Sequence, residues 1–307
     1  MNVRVINQVI ILSLMMLIGV FAKKKNIITE EGEKSLSSFL VNITLPSLLI
    51  TSFNYRYSEK MIANAESIFL YSIIIHIVII LLSKVCAYKY EDKVKKVMRF
   101  IIIFSNSGFM GYPVLEGLFG KVGIFYGAIF NIPLNIFMFS VGIAIYTGKN
   151  DIKNIKNVIS NPVIISTIVG FLMFVFSIKL PYVVDTTLSS VGSMTTPLSM
   201  IIVGTMLAGV KLKDIFSGFQ VYYTSFMRLI LVPLVTVLLL KLMKADSFMI
   251  QICAVIEAMP SAVLASVLAQ QYGADSKLAA RSVFITTIIS MITIPIVVIC
   301  IQFLTKV

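Results

Sequence analysis

Charge is scarce in this chain of 307 residues: Asp, Glu, Lys and Arg together make up 13%, and histidine occurs once. Soluble domains carry about 25% charged residues, so a water-exposed globular fold is excluded and an integral membrane protein is indicated. The hydrophobic fraction of 58% and the mean hydropathy of +0.96 agree. Cysteine is sparse too. Cys86, Cys253 and Cys300 stand in apolar stretches without CxxC or Cys/His spacing, which points to small buried residues and to neither a disulfide framework nor a metal centre. HExxH and repeated Asp motifs are missing, so an intramembrane metalloenzyme lacks its ligands. No enzymatic activity, cofactor or metal is expected.

What the chain has is long apolar runs. Ten of them, between charged breaks, fall at about 5–22, 36–53, 66–83, 100–119, 122–146, 158–178, 187–208, 221–242, 248–270 and 278–304. Each approaches the ~20 residues of a bilayer-crossing helix, so ten transmembrane helices are predicted. No gap is long enough for a soluble domain. The first run, VINQVIILSLMMLIGVFA, is followed by Lys23, Lys24 and Lys25. A secretory signal peptide has its basic residues in front, so this run reads as a retained span with its N-terminus outside.

The basic residues sort by side. Loops after spans one, three, five, seven and nine hold Lys23, Lys24, Lys25 and Lys34, then Lys84, Lys89, Lys93, Lys95, Lys96 and Arg99. They continue with Lys149, Lys153 and Lys156, then Lys211, Lys213 and Arg228, then Lys277 and Arg281. Arg4, Arg56, Lys60, Lys121, Lys179, Lys241, Lys244 and Lys306 make up the remainder of the 26. The positive-inside bias places the first set in the cytoplasm and both termini outside the cell membrane. The net charge of +12 therefore reports orientation and calls for no nucleic-acid partner.

Two halves echo each other. Asn42-Ile43-Thr44-Leu45-Pro46 returns as Ser193-Met194-Thr195-Thr196-Pro197, and Pro113 in span four returns as Pro260 in span nine. The proline offsets are 151 and 147 residues, one five-span unit each. An odd number of spans turns the second copy upside down, the inverted repeat of secondary transporters. The predicted fold is all-α, with repeats at 1–147 and 158–307 and broken crossover helices four and nine.

Those breaks carry the candidate site. FSNSGFMGYPVLEGLFG, residues 104–120, puts Asn106, Ser107, Gly108, Gly111 and Pro113 inside an apolar run. Gly costs about 1 kcal/mol and Pro about 3 in a helix interior. Unwound backbone at membrane depth is tolerated only where it lines a cavity or is buried in protein. FSNSGFMGYP is therefore expected to be the unwound centre of span four, with Met259-Pro260-Ser261 its counterpart in span nine. Half-helix N-termini there suit a carboxylate or another anion.

The chain resembles the auxin efflux carrier family, which includes plant PIN carriers and bacterial carriers of small carboxylic acids. The likeness rests on VNITLPSLLITSF, SNSGFMGYPVLEGLFG, TTPLSMIIVGTMLAG, RLILVPLV, EAMPSAVLASVLAQQYGAD and SVFITTIISMITIPIV, in that order along the whole chain. It implies a scaffold of spans one, two, six and seven that mediates homodimerisation, and an elevator-like transport domain of spans 3–5 and 8–10. It also implies that Asn106 contacts a carboxylate of a small organic anion. In the second repeat, Cys253 stands where the matching Asn would be. The second reading is a cation-coupled carrier of the bile-acid-symporter or cation/proton-antiporter type, which favours an Asp-Asp pair at the crossing. No such pair is present there.

Polar residues within the spans complete the candidates. Glu116 and Glu257 flank Pro113 and Pro260 by three residues and are candidates for a coupled H⁺ or Na⁺. Asn42, Thr44, Thr195 and Ser261 can hydrogen-bond in a cavity or across helices, with Pro46 and Pro197 marking their segments. Arg228 is expected to be an interfacial anchor, snorkelling to the cytoplasmic side. His76, midway along span three, reads as a packing histidine in preference to a proton relay.

Overall fold

The computed structural model describes residues 2–148, 160–208 and 218–305, and among these every regular element is helical. The expected loop residues Lys149, Lys153, Lys156, Lys211 and Lys213, and also Lys306, lie outside the described residues. In chain order come α1 (Asn2–Lys24), α2 (Glu30–Phe39), α3 (Leu45–Ser52), α4 (Glu59–Cys86), α5 (Asp92–Ile103), α6 (Tyr112–Phe119), α7 (Lys121–Phe137) and α8 (Ile143–Thr147). The second half holds α9 (Pro162–Val175), α10 (Tyr182–Ser193), α11 (Thr195–Ala208), α12 (Phe219–Phe226), α13 (Val232–Leu242), α14 (Ser247–Glu257), α15 (Leu264–Gln271) and α16 (Ser276–Leu304). Seven segments, joined across adjoining elements, are long and apolar enough to cross a membrane, and Pro162–Val175 and Ser247–Glu257 are shorter apolar helices.

Local sequence explains where helices start. Asn161, Asp246 and Asp275 each accept a backbone N–H from the first turn of α9, α14 and α16 through a side-chain oxygen, satisfying donors that a helix start leaves free. Thr29 does the same for α2.

Proline accompanies three of the four π-helical segments among the described residues; the fourth, Met138–Gly142, has none two residues on. Single π-helical segments occupy Leu40–Thr44, Ser107–Gly111 and Met227–Leu231, and each is followed two residues on by Pro46, Pro113 or Pro233. A proline donates no N–H and its ring crowds the carbonyl four residues back. In all three cases the residue before it reaches back five: Leu45 N–H to Leu40, Tyr112 to Ser107, Val232 to Met227. The wider turn accommodates the ring while keeping the chain helical. This corrects the expectation that Pro113 lies in unwound backbone: it sits in continuous helix. Only Phe104–Asn106 leave helical geometry, so most of FSNSGFMGYP is wound.

Two sets of helix contacts stand out, joined by contacts of α1 with α6 and α16 and of α3 with α7. α1 runs along α11, and α3 lies on α9 and α10. Separately, α4 packs on α5 and α7, α13 on α14, and α12 and α15 on α16. The α1–α11 seam is exceptionally close: a Cβ on Gly204 would lie 2.0 Å from the Met16 carbonyl oxygen, and one on Gly19 would lie 2.1 Å from that of Ile201. Only glycine permits backbones to approach this far.

Candidate functional site

At the centre, the two chain breaks meet. The Phe104 carbonyl accepts from Ala262 N–H at 2.9 Å, and Asn106 N–H donates to the Pro260 carbonyl at 2.7 Å. An isolated antiparallel bridge at Ser105 and Ser261 results. The pairing satisfies backbone groups that two broken helices expose away from water. Asn106 then starts the next helical segment: its Oδ1 accepts from Phe109 N–H at 3.3 Å, and its carbonyl accepts from Gly111 N–H at 3.0 Å. Its Nδ2 is buried without a protein hydrogen-bond partner, as are the hydroxyls of Ser105 and Ser261. Ser107 is buried beside them. A Cβ on Gly108 would meet nothing within 4 Å, so the first turn opens onto free space there, while Gly111 packs on Ser107 and Met259.

The C-terminal ends of α5 and α14 point their last carbonyls into the same centre. Arg228 collects them. Its Nη1 donates to Ile102 (2.9 Å) and Ile103 (3.2 Å), its Nε to Met259 (3.1 Å), and its Nη2 to the Glu257 carbonyl (2.7 Å). Nη2 also bonds Glu257 Oε2 at 2.7 Å. A planar guanidinium carries five N–H donors in a fixed fork, which fits convergent carbonyls as a lysine would not. Arg228 is 0% exposed, which overturns its reading as an interfacial anchor. Counting residues from a span end placed it within reach of the surface; the inward face of the helix holds it in the core.

Glu257 is likewise 0% exposed, and its second oxygen, Oε1, lies 3.5 Å from Nε2 of His76 on α4. His76 is held from the other side: Nδ1 sits 2.6 Å from the Ser72 carbonyl, and Phe130 and Phe137 flank the ring with centroids at 5.6 and 5.8 Å. Its reading as a packing histidine is therefore incomplete, because one ring nitrogen faces a carboxylate. Cys253, one turn before Glu257, is buried.

The other candidates fall around this centre or away from it. Thr196 donates to Glu116 Oε2 at 2.7 Å, which joins the start of α11 to α6 beyond the crossing. Thr195 is buried with an unpartnered hydroxyl, and Pro197 is half-buried one turn into α11. Thr44 is buried and bonds the Leu40 carbonyl, and Pro46 is half-buried. Asn42 is exposed and its amide bonds Ser38 on its own helix, so the fold does not bring it to the crossing. A cavity of about 390 Å³ opens between the ends of α1, α2 and α11 and the helices α15 and α16, with Lys23, Lys34, Thr205, Ser266 and Thr287 in its wall. Asn106 is not part of that wall.

Sequence comparison gives this architecture a family. The family model described as membrane transport protein matches residues 4–157 and 149–298. The chain is 31% identical over 297 residues to the uncharacterized transporter MJ1031 of Methanocaldococcus jannaschii, with 93% of this chain and 95% of that one covered. It is 25% identical to an uncharacterized transporter of Methanothermobacter thermautotrophicus, with 92% and 93% covered. Against the uncharacterized transporter YfdV of Escherichia coli K12 the identity is 22%, with 91% and 92% covered. With a crossing of two broken helices at its centre and these matches along nearly its whole length, the chain is a multi-pass membrane protein of the membrane transport protein family, the auxin efflux carriers.

Proposed function

We propose that the protein is a secondary transporter of small organic anions, carboxylates above all, working by elevator-like alternating access in the cell membrane. The observation that carries this reading is the buried Asn106 amide at the crossing, with a donor no protein atom uses. Beside it the segment beginning at Ser107 presents the N–H groups of a helix start, which favour negative charge. A neutral amide and backbone donors bind an anion without the permanent counter-charge that would trap it.

In this reading ten spans form two inverted repeats, 1–147 and 158–307. The packing of α1 and α3 with α9, α10 and α11 supports a scaffold built from spans one, two, six and seven, through which two copies pair. The mutual packing of the remaining helices supports a separate transport unit. The cavity between the two groups, on the side of Lys23 and Lys34, supports an opening towards the cytoplasm, with both termini outside.

Uptake of labelled succinate into proteoliposomes, with and without a pH or Na⁺ gradient, tests the function. Saturable uptake inhibited by other carboxylates is expected. Its absence for every carboxylate tried, with uptake of a cationic or neutral solute instead, overturns the reading. Orientation has its own test, because a cysteine introduced at Lys93 is expected to resist impermeant thiol reagents added outside intact cells.

A further inference from the structure

We propose that His76 Nε2 and Glu257 Oε1 together form a binding site for one exchangeable proton, tied to the helix crossing by Arg228. The inference goes beyond carboxylate transport, because it concerns a proton site that exists with no solute present.

Hydrogen-bond chemistry leaves one vacancy for a proton. The Ser72 carbonyl only accepts, so Nδ1 of His76, 2.6 Å away, must carry its hydrogen. The Ser72 hydroxyl donates to the Phe130 carbonyl at 2.7 Å, so its hydrogen is committed and cannot serve Nδ1 instead. The tautomer is thereby set, and Nε2 is the nitrogen that gains or loses a proton. It faces Glu257 Oε1 at 3.5 Å, and that oxygen has no other hydrogen-bond partner. With Nε2 bare and Glu257 ionised, two lone pairs oppose each other. One proton from solvent, taken up on the Nε2 lone pair, turns that opposition into a charge-assisted N–H···O bond. No other bond is made or broken.

Charge follows the proton. Without it, Arg228 and Glu257 sum to zero beside a neutral imidazole; with it, the buried group is +1. The faces of Phe130 and Phe137 on the ring favour a cation there. Around the pair, π-helical Met227–Leu231 contributes Arg228 and α14 itself contributes Cys253, while α6, which packs on α14, carries buried Tyr112. The other ionisable residues of the packed helices are Glu116 of α6, bonded to Thr196, Tyr126 of α7, bonded to Asn64, and exposed Lys121, Lys241 and Lys277 towards helix ends, with Arg281 and exposed Cys300 of α16. On α5 they are Asp92, Lys93, Lys95, Lys96 and Arg99, and on the rest of α4 Glu59, Lys60, Glu66, Tyr71, Lys84 and Cys86. Arg228 links proton to crossing, since the guanidinium that holds Glu257 Oε2 also holds the last carbonyls of α5 and α14.

The single histidine makes the test direct. Protein with ¹⁵N-labelled histidine, free of any histidine tag and reconstituted in nanodiscs, gives the NMR signals of one imidazole. At alkaline pH the expected form has a protonated Nδ1 and a bare Nε2; acidification adds one proton at Nε2, reversibly. In Glu257→Gln the proton affinity of His76 falls by about tenfold to a thousandfold, the usual effect of removing an opposite charge within reach. A ring protonated at Nε2 when neutral, an imidazole that takes up no proton on acidification of the folded protein, or titration unaltered in Glu257→Gln overturns the proposal. Should Glu257→Gln fail to fold, Glu257→Asp and an infrared difference spectrum of the wild type decide instead. Glu257→Asp is expected to keep the titration, and acid-minus-alkaline spectra to show an imidazole band paired with a carboxylate band. A spectrum lacking that pair overturns it as well. None of these readings needs a transported solute, so failure of the carboxylate assignment would leave them unaffected.

Discussion

The two breaks at the centre of the protein pair with each other but are built differently. The first, Phe104–Asn106, is three residues long, contains no ionisable group, and passes directly into a helical turn capped by Asn106. The second, 258–263, is longer and follows Glu257, which is locked to Arg228 and faces His76. The two breaks thus differ in chemistry. The first carries buried amide and hydroxyl groups that no protein atom uses, and the second adjoins charge that is already engaged by protein. In the proposed reading, anion binding belongs to the first strand of the crossing and its electrostatic setting to the second.

Removing the charged strand's anchor should have the largest effect. Arg228→Ala deletes donors to four carbonyls and leaves the Glu257 carboxylate buried without its cation. Breaking a buried pair costs about 3–5 kcal/mol. The variant should lose most of its thermal stability in detergent, and Arg228→Lys should recover only part, because an ammonium cannot span the same carbonyls. Wild-type melting in Arg228→Ala would show that the carbonyl ends need no such clasp.

The neutral strand should behave in the opposite way. A hydrogen bond to a charged ligand is worth about 1.5–3 kcal/mol, so Asn106→Ala should weaken anion binding by roughly 10- to 150-fold. Melting should change little, because the Nδ2 donor serves no protein atom. Wild-type affinity in a titration of the purified variant would reduce Asn106 to a helix cap.

A third variant checks that stability and binding are separable. Gly204→Ala drives a methyl into the Met16 carbonyl across the α1–α11 seam, and overpacking of this kind costs about 1–3 kcal/mol. The melting temperature should fall while the surviving protein keeps its anion affinity. A large loss of affinity at unchanged melting would mean that this seam moves with the site.

How much of this was legible in the sequence depends on distance along the chain. Glycine, serine and proline in an apolar run announce a break locally, so Asn106 and Pro260 were found. The π turns were not, because a proline in a span reads as a breaker, whereas here a widened turn before Pro46, Pro113 and Pro233 accommodates it. Asn42 looked like a ligand by its echo in the second half, yet the face on which it sits points outward. Arg228 and His76 illustrate the harder limit. Both meet Glu257 across separate helices, and no periodicity in a uniformly apolar span says which face turns inward. The hint was an arginine opening RLILVPLV inside an apolar span, five residues before Pro233.

The smallest effect joins the two strands. If His76 and Glu257 take up a proton, the crossing gains one positive charge, and an anion at Asn106 should bind more tightly as pH falls. By reciprocity the anion raises the affinity for the proton by the same factor. One unit charge about 10 Å away, a helix diameter, at an effective dielectric of about 20 contributes about 1.7 kcal/mol, or roughly tenfold to twentyfold. Succinate affinity should therefore climb by about that factor as acidification from alkaline pH loads Nε2 of His76. Two variants sharpen the sign. In His76→Gln the buried group stays at zero net charge, so affinity should be weak and flat with pH. In Glu257→Gln it carries Arg228 unopposed, so affinity should be high and flat. Parallel pH curves for all three proteins would mean that the charge on the second strand is not felt at the first, and that the crossing's two halves act independently.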